Sequence, residues 1–308
     1  METELIGLLR ERLPTHPLLK LGIGDDAAIL QAANDRDWVV TVDMLTDQVD
    51  FVLGEVDPRR VGRKALAVNL SDLAAMACQP VAAVVALVLP RHGGMELATA
   101  IYEGMLPLAE EFGIAIAGGD TNSWDGPLAI SVTALGQITP HGPLVRSGAV
   151  VDDTIVVSGA LGGSILNHQF DFTPRVAEAL ALNSRYALHA GIDISDGLAR
   201  DLGHLIEESG CGAVLDLERI PIAQDARRLA ESMNDGSTAL DHALADGEDF
   251  ELILAVPRQE AERMLAERSV DVPLTAIGRF VAEPGLWSED RDGQRTALPI
   301  RGFLHDFD

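Results

Sequence analysis

Aspartates that stand where apolar segments end constrain the fold of this chain more than any other feature. Asp43 closes the run WVVTVD, Asp120 closes IAIAGGD, and Asp193 lies in GIDISDGL. The β-branched residues before them are typical of buried strands, and side chains at strand ends can converge on one cleft. The sequence therefore predicts strands and helices arranged so that several carboxylates meet.

Three more aspartates stand in comparable settings. Asp26 lies in GIGDDAAIL, Asp72 shares one face of a predicted helix with Asn69, and Asp196 precedes Gly197 and a helical pattern. A single aspartate of this kind usually caps a helix or closes a turn, and Asp196 could cap the helix that follows it. It is the joint occurrence of these residues that favours a functional site.

Several carboxylates in one cleft require either protonation or bound cations. Two of them about 4 Å apart repel by roughly 4 kcal/mol at an effective dielectric constant near 20. Sites built from oxygen atoms suit hard ions such as Mg²⁺, which is commonly shared with substrate phosphates. The histidines show no metal-binding spacing, and Cys78 and Cys211 are predicted to be buried apolar residues. The residues therefore indicate Mg²⁺-dependent phosphoryl transfer or ATP hydrolysis.

The charge balance restricts the partners of the chain. Among its 308 residues, 23 are Lys or Arg and 48 are Asp or Glu, which gives a formal net charge of −25. Such a surface repels the phosphate backbone of nucleic acids and attracts cations. The longest apolar run, residues 80–90, is too short to cross a bilayer, and the first residues lack the regions of a signal peptide. We expect no nucleic-acid or membrane partner and a cytoplasmic location.

The order of the predicted elements indicates two domains of mixed α and β structure. Strands are predicted at 38–43, 81–89, 114–120 and 128–139, with helices at 57–77 and 95–112. After the turn-rich segment 139–153, strands at TIVVSG, GAVLDL, FELILAV and PLTAIGRFV alternate with helices. We place the boundary in this segment, which gives an N-terminal domain of residues 1–145 and a C-terminal domain of residues 146–308.

Three short segments are candidates for binding phosphate. SGALGGS is rich in glycine but lacks the lysine of a Walker loop, so close packing of its backbone is the favoured interpretation. GGD at 118–120 and RSG at 146–148 offer backbone amides, and Arg146 carries a fork that fits phosphate oxygens. An exposed arginine on a turn is the other interpretation of Arg146.

Taken together, the motifs resemble those of the thiamine-monophosphate kinase family, within the superfamily of aminoimidazole ribonucleotide synthetase. The resemblance extends from about Gly22 to Phe303 and is carried by GIGDDAAIL, TVDMLTDQVDF, GRKALAVNLSDLAAMACQP, AGGDT, RSGA, VVSGALG, GIDISDGLARDLGHLIEESGCGA and GEDFEL. It implies an α+β fold of two mixed α/β domains. The N-terminal domain would form a β-barrel shared across a homodimer, and the C-terminal domain would be a sandwich-like α+β domain.

The resemblance also implies a reaction and its site. Members of the family transfer the γ-phosphate of ATP to thiamine monophosphate, giving thiamine diphosphate and ADP, with several Mg²⁺ ions and no covalent enzyme intermediate. The implied metal ligands are Asp26, Thr41, Val42 through its carbonyl oxygen, Asp43, Asp72, Asp120, Asp193 and Asp196. Asp43, Asp72 and Asp120 are expected to assist the transfer. The implied ATP contacts are Gly119, Asp120, Arg146 and Ser195, and the implied acceptor contacts are Asp50, Glu248 and Phe303.

The departures from the family pattern concern the acceptor side. Asp50 stands where a histidine that contacts the substrate is expected, GGDTNSWDGP lacks an arginine, the segment NHQFDFTPRV is shortened, and Phe303 lacks the hydroxyl of a common tyrosine. A carboxylate at position 50 would repel the phosphate of the acceptor unless a cation intervenes. Two alternatives therefore stand beside the kinase: a superfamily enzyme that uses ATP to activate a different small acceptor, and a non-catalytic nucleotide-binding dimer.

Overall fold

The first half of the chain builds a six-stranded sheet covered by two long helices. The structure is a computed structural model that describes residues 2–14, 16–32, 36–233 and 235–304. The elements of this half are α1 (Glu2–Arg12), β1 (Leu19–Leu21), β2 (Ala28–Leu30), β3 (Trp38–Thr46), α2 (Pro58–Ala75), β4 (Gln79–Pro90), α3 (Gly94–Glu111), β5 (Ala115–Trp124) and β6 (Ala129–Gln137). The strand order is β1-β2-β3-β6-β4-β5.

The two faces of this sheet differ in burial because successive side chains of a strand point to opposite sides. Residues such as Val39, Val85 and Val132 are buried with α2 and α3. On the other face, Val42 is 62% exposed and Met44 is 65% exposed. The sheet thus presents one covered face and one apolar face without a cover from the described chain.

The second half builds a seven-stranded sheet. Its elements are β7 (Thr154–Ser158), α4 (His168–Asp171), α5 (Val176–Arg185), β8 (Ala190–Asp193), α6 (Leu198–Ser209), β9 (Gly212–Leu215), α7 (Gln224–Ser232), α8 (Ala239–Ala245), β10 (Leu252–Val256), α9 (Arg258–Glu267), β11 (Leu274–Val281), β12 (Gly285–Glu289) and β13 (Arg295–Ala297). The strand order is β13-β12-β9-β11-β7-β10-β8, so β8 forms an edge. All pairs are antiparallel except β12 with β9.

Helix α2 joins the two halves. It begins at Pro58, after Asp57 accepts a hydrogen bond from the amide of Arg59 over 2.9 Å, and most of its residues are buried. One continuous apolar core includes Leu66 of α2 together with Val85 from the first sheet and Leu254 from the second. A second core, which includes Leu202, Ile253 and Phe280, lies wholly within the second half. The proposed boundary after residue 145 therefore separates the two sheets but cuts across the first core, and it stays a prediction.

Two glycines allow α2 and α3 to cross closely. A Cβ atom on Gly62 would lie 2.0 Å from the carbonyl oxygen of Ile101, and one on Gly104 would lie 1.7 Å from that of Arg59. Neither position tolerates a side chain without movement of a backbone. The crossing fixes α2 on the first sheet.

Most of the long predicted elements are confirmed, including β3, β4, β6, α2 and α3. The short strands β1, β2, β12 and β13 were not predicted from the sequence. In the described part of this single chain the first sheet is open and no closed barrel forms, so the barrel shared across a homodimer stays a prediction. None of the helices described here is both long and apolar enough to span a bilayer.

Candidate functional site

Three carboxylates meet between the two halves of the chain. Asp26 lies on the loop between β1 and β2, Asp72 lies on α2, and Asp193 ends β8. One carboxylate oxygen from each lies within 4.8 Å of the other two. Because Asp193 also accepts a hydrogen bond from Ser71 over 2.5 Å, β8 is tied to α2 at this point. The predicted convergence of strand-end and helix carboxylates is thus present in the structure for these three residues.

Asp43 and Thr41 extend this acidic cluster along β3. They share the face of the strand that packs on α2, where the Thr41 hydroxyl hydrogen-bonds to Asp72 and lies 3.3 Å from the carbonyl oxygen of Asp26. Asp43 lies close enough to Asp72 for its charge to raise the pKa of that carboxyl group. The two carboxyl groups therefore repel each other when both are ionised.

Burial and mutual repulsion shift the pKa values of the cluster upward. Burial, followed by the charge of Asp26, raises the pKa of Asp193 to about 7. Burial raises the pKa of Asp72 well above its usual range, and the neighbouring charges of Asp43 and Asp193 add to the shift. Burial likewise raises the pKa of Asp43 to about 6. In the absence of a cation the cluster holds protons that free carboxylates would release.

The cluster offers free ligand atoms of the kind that a hard cation prefers. Oδ2 of Asp26 and Oδ2 of Asp43 are buried and find no hydrogen-bond partner among the described residues. Buried oxygens without partners are costly, and a bound cation would satisfy them. The donor set is oxygen only, which fits Mg²⁺ rather than Zn²⁺.

Arg146 limits the negative charge at one side of the cluster. It lies on a short turn of 3₁₀ helix at Arg146–Gly148, and its guanidinium group contacts Asp26 at 2.6 Å. Its backbone amide donates to Asp25 over 2.9 Å. Burial, and then the charge of Asp26, raises the pKa of Asp25 to about 6. Arg146 is thus a partly buried partner of the acidic loop, and the interpretation as an exposed turn arginine does not hold.

A second acidic group surrounds the start of α6. Asp196, Asp201 and His204 each place a possible ligand atom within 4.8 Å of the other two. The carboxylate of Asp201 accepts hydrogen bonds from the backbone amides of Asp196 and Gly197, both over 3.0 Å. Burial, with Arg146 and Arg200 nearby, lowers the pKa of His204 to about 4, so the ring is neutral near pH 7. The alternative that Asp196 caps α6 is therefore not supported, because Gly197 is the N-cap and Asp201 serves the amides.

A cavity of about 640 Å³ adjoins both acidic groups and contains the three predicted acceptor contacts. Its wall includes Asp43 from the first cluster, Asp196 from the second and Ser195 beside it. Other residues in the wall are Asp50, Gln169, Phe170, Glu248, Phe250 and Phe303. Aromatic and aliphatic walls with a few polar groups are typical of small-molecule sites. We call this space the acceptor cavity.

Hydrogen bonds that involve the backbone hold two of the predicted acceptor contacts, Asp50 and Phe303, in place. The carboxylate of Asp50 accepts the amide of Thr46 over 2.6 Å, which closes the turn after β3. The amide of Phe303 donates to the carbonyl oxygen of Asp196 over 3.0 Å, which docks the C-terminal segment on the cavity. Asp50 therefore has a structural role in its own turn besides its place on the cavity wall.

Glu248 stands on a strained segment. Glu248 has φ 60° and Phe250 has φ 50°, a region that costs residues other than glycine about 1 kcal/mol or more each. The backbone is held there by hydrogen bonds from the amide of Glu248 to Ser195 over 2.7 Å and from the amide of Phe250 to Ile194 over 2.8 Å. Strain that is held in this way is common where a side chain must be aimed at a ligand.

Lys64 and Gln169 were missed by the sequence reasoning. The ammonium group of Lys64 lies 2.5 Å from Oε2 of Glu248 and 2.7 Å from Oε1 of Gln169. A signal was available, because Lys64 interrupts an apolar helix stripe formed by Val61, Ala65 and Val68. Burial raises the pKa of Glu248, and the charge of Lys64 opposes this shift.

Gly119 and Asp120 are not brought to the acidic cluster within one chain. Gly119 and Asp120 lie on the exposed edge strand β5, where Gly119 aligns with Val85, then Val132, then Asp43 on successive strands. Three strand spacings amount to about 14 Å. Val42 lies between Thr41 and Asp43 with its side chain on the uncovered face of the sheet, so its predicted ligand atom is still the carbonyl oxygen. The roles of these three residues stay predictions.

The glycine-rich loop SGALGGS does not offer its amides to a phosphate. The amide of Gly162 donates to Asp249 over 2.9 Å, and that of Gly163 donates to Asp246 over 3.0 Å. A Cβ atom on Gly162 would lie 2.6 Å from the backbone nitrogen of Ala243. The loop is glycine-rich because it packs closely on α8, as the sequence favoured.

Known protein families and relatives match this chain over nearly its whole length. Models of the N-terminal and C-terminal domains of AIR synthase related proteins match residues 24–138 and 154–289. A thiamine-monophosphate kinase of Rhodopirellula baltica is 40% identical over 312 residues, which cover 99% of this chain and 97% of the relative.

Solved structures of similar proteins also match nearly the whole chain. One from Stenotrophomonas maltophilia K279a, a thiamine-monophosphate kinase, is 35% identical with a TM-score of 0.73 and covers 94% of this chain and 95% of its own. Another, described as "AaThiL complexed with AMPPCP and TMP", is 26% identical with a TM-score of 0.85 and covers 99% of this chain and 97% of its own. The chain therefore belongs to the thiamine-monophosphate kinase family, within the AIR synthase related proteins.

Proposed function

We propose that this chain transfers the γ-phosphate of ATP to thiamine monophosphate and releases thiamine diphosphate and ADP. The observation that carries the proposal is the position of Asp43, which lies beside Asp72 in the acidic cluster and also lines the acceptor cavity. A nucleotide held at the cluster would place its terminal phosphate beside that cavity. The full-length similarity to thiamine-monophosphate kinases supports the choice of acceptor.

The residues divide into two sets with different tasks. The cluster of Asp26, Asp43, Asp72 and Asp193, with Arg146 beside it, would hold the phosphates of ATP. The acceptor cavity, with Asp50, Glu248 and Phe303 in its wall, would hold thiamine monophosphate. No side chain is needed as a nucleophile, since the phosphate oxygen of the acceptor attacks the γ-phosphorus in line. Catalysis would then come from positioning and charge neutralisation.

Mg²⁺ is the cation that we propose for the cluster. The partnerless oxygens of Asp26 and Asp43 support this choice. When bound, Mg²⁺ would neutralise the phosphate oxygens and lower their repulsion from the carboxylates. We propose Asp26, Asp43, Asp72 and Asp193 as ligands, with Thr41 supporting Asp72 and with Asp196 at a further ion.

We also propose that the active form is a homodimer. The uncovered face of the first sheet carries Val42, Met44 and Val84, and β5 presents a long exposed edge. Such faces and edges are typically covered in soluble proteins. A partner covering them would bring its own Gly119 and Asp120 towards the acidic cluster, which one chain cannot do. The cytoplasmic location stays a prediction.

The direct test is product formation. The purified chain is incubated with ATP, MgCl₂ and thiamine monophosphate, and thiamine diphosphate and ADP are separated by chromatography. We expect the two products in equal amounts and none in EDTA. Binding of ATP without thiamine diphosphate would overturn the proposal. ADP released with another phosphorylated acceptor would then favour a different substrate, and silence with every acceptor would favour a nucleotide-binding dimer.

A further inference from the structure

Lys64 is a fully buried cation whose position packing alone does not explain. Its side chain is 0% exposed in the middle of α2. Burying an ammonium group is costly unless a counter-charge and hydrogen-bond acceptors surround it. A methionine would fill the same space without that cost, so the charge itself requires a reason.

The groups that surround Lys64 come from three separate segments. Its ammonium group contacts Oε2 of Glu248 at 2.5 Å, Oε1 of Gln169 at 2.7 Å and the carbonyl oxygen of Asp50 at 3.3 Å. It also lies 5.2 Å from the centre of the Phe170 ring. These partners belong to the turn after β3, to α4 and to the strained segment before β10.

All four partners line the acceptor cavity, while Lys64 lies behind them. One ammonium group therefore connects three parts of the cavity wall from its protein side. Glu248 is held from two directions, because its backbone is fixed on Ser195 and its carboxylate is fixed on Lys64. Without the ammonium group, the carboxylate would be free to turn away or to take up a proton.

We propose that Lys64 is a positioning residue for the acceptor, which holds the carboxylate of Glu248 and the amide of Gln169 in the wall of the cavity. This inference rests on the proposed function, which assigns the cavity to thiamine monophosphate. The thiazolium ring of that acceptor is a permanent cation. A carboxylate that an ammonium group holds in one orientation, with aromatic rings beside it, is suited to bind such a ring.

The test is a double-mutant cycle in which the KM values for thiamine monophosphate and for ATP are both measured. We expect Lys64→Met to raise the KM for thiamine monophosphate about tenfold or more and to leave the KM for ATP within about twofold. Glu248→Gln should raise the acceptor KM similarly. Because Lys64 acts mainly through Glu248, its loss should raise the acceptor KM of Glu248→Gln by no more than the roughly threefold expected from Gln169, so the two substitutions should be far from additive.

A matched control and a second variant accompany the cycle. Arg59→Met removes a cation from the same helix, but the Arg59 side chain is exposed and pairs with Glu103 at 2.7 Å, so we expect both KM values to stay unchanged. If Lys64→Met does not fold, Gln169→Leu removes the second partner of Lys64 without leaving a new charge. We expect it to raise the acceptor KM about threefold while the KM for ATP stays constant.

The outcomes separate this inference from the proposed function. An unaltered chain that makes no thiamine diphosphate would overturn the proposed function. An active unaltered chain with an unchanged acceptor KM in Lys64→Met would overturn the role of Lys64 alone. Equal effects on the KM values of both substrates, or full additivity with Glu248→Gln, would reduce Lys64 to a structural residue. If only Gln169→Leu folds, an unchanged acceptor KM in that variant has the same meaning.

Discussion

Asp72 on α2 and Asp193 at the end of β8 bring carboxylate oxygens within 4.8 Å of each other, although β8 belongs to the second sheet and α2 covers the first. Two ionised carboxylates at that separation repel by about 3.5 kcal/mol at an effective dielectric constant near 20. The cluster therefore opposes folding whenever it is fully ionised and without a cation.

Stability should fall with rising pH in the metal-free protein. The folded-state pKa is raised to about 6 for Asp25 and Asp43 and to about 7 for Asp193, from 3.8. The folded state thus binds more protons than the unfolded state between about pH 4 and pH 7, and stability is lost as the pH rises through that window. We expect the free energy of unfolding in EDTA to be at least about 2 kcal/mol lower at pH 8 than at pH 5.

Urea titrations in EDTA and in MgCl₂ measure this effect. Millimolar MgCl₂ should restore most of the lost stability at pH 8, because a bound cation replaces the protons. Equal stability at both pH values in EDTA would show that the cluster is not coupled to folding.

Asp72→Asn should separate stability from activity. The substitution removes one charge from the cluster but keeps a similar shape, so we expect the metal-free protein at pH 8 to gain about 1 kcal/mol. Turnover should fall at least 100-fold, because a proposed metal ligand is lost. Asp292→Asn, at an exposed turn, is the control and should change neither quantity. Retained turnover in Asp72→Asn would remove this residue from the site.

Mixing two inactive variants tests whether Asp120 serves the partner chain. Asp72→Asn and Asp120→Asn are each expected to be inactive when prepared alone. If Asp120 acts across the dimer, a mixed dimer has one site with both substitutions and one intact site. After dissociation and random reassociation, we expect about a quarter of the unaltered activity. Persistent inactivity, with mixed dimers confirmed by mass spectrometry, would place Asp120 in its own chain's site or outside the site.

Gly62→Ala should destabilise the crossing of α2 and α3. The new Cβ would meet the carbonyl oxygen of Ile101 at 2.0 Å, and we expect a loss of about 2–3 kcal/mol in the free energy of unfolding. Gly7→Ala is the matched control in α1, where nothing lies within 4 Å of the added atom. It should be neutral or stabilise the protein by up to about 1 kcal/mol. Similar losses in both variants would contradict the close crossing.

Local patterns in the sequence were sufficient to predict the central elements. β-branched runs identified β3, β4 and β6, and helical periodicity identified α2 and α3. The strands β12 and β13 were not predicted because GLWSE and RTA are short and lie at a partly exposed edge of the sheet. Edge strands bury too little apolar surface to leave a clear pattern.

The site was only partly predictable because convergence depends on strand order. Asp26, Asp72 and Asp193 meet as expected, whereas Asp120, which has the same local pattern, lies on an edge strand. The apolar run IAIAGGD before Asp120 is like that of a central strand, so the sequence does not mark β5 as an edge strand. Lys64 was missed for a different reason, since the apolar residues around it predict a packed helix face and do not show which acceptors surround its charge.

Helix α2 carries Lys64 behind the acceptor cavity and Asp72 in the acidic cluster, separated by about 12 Å along a single rigid rod. A sliding or tilting movement of this rod would displace both residues at once. Variants that change how α2 seats against α3 should consequently show correlated losses of magnesium and acceptor affinity, whereas independent tuning of the two would require changes in the flanking loops.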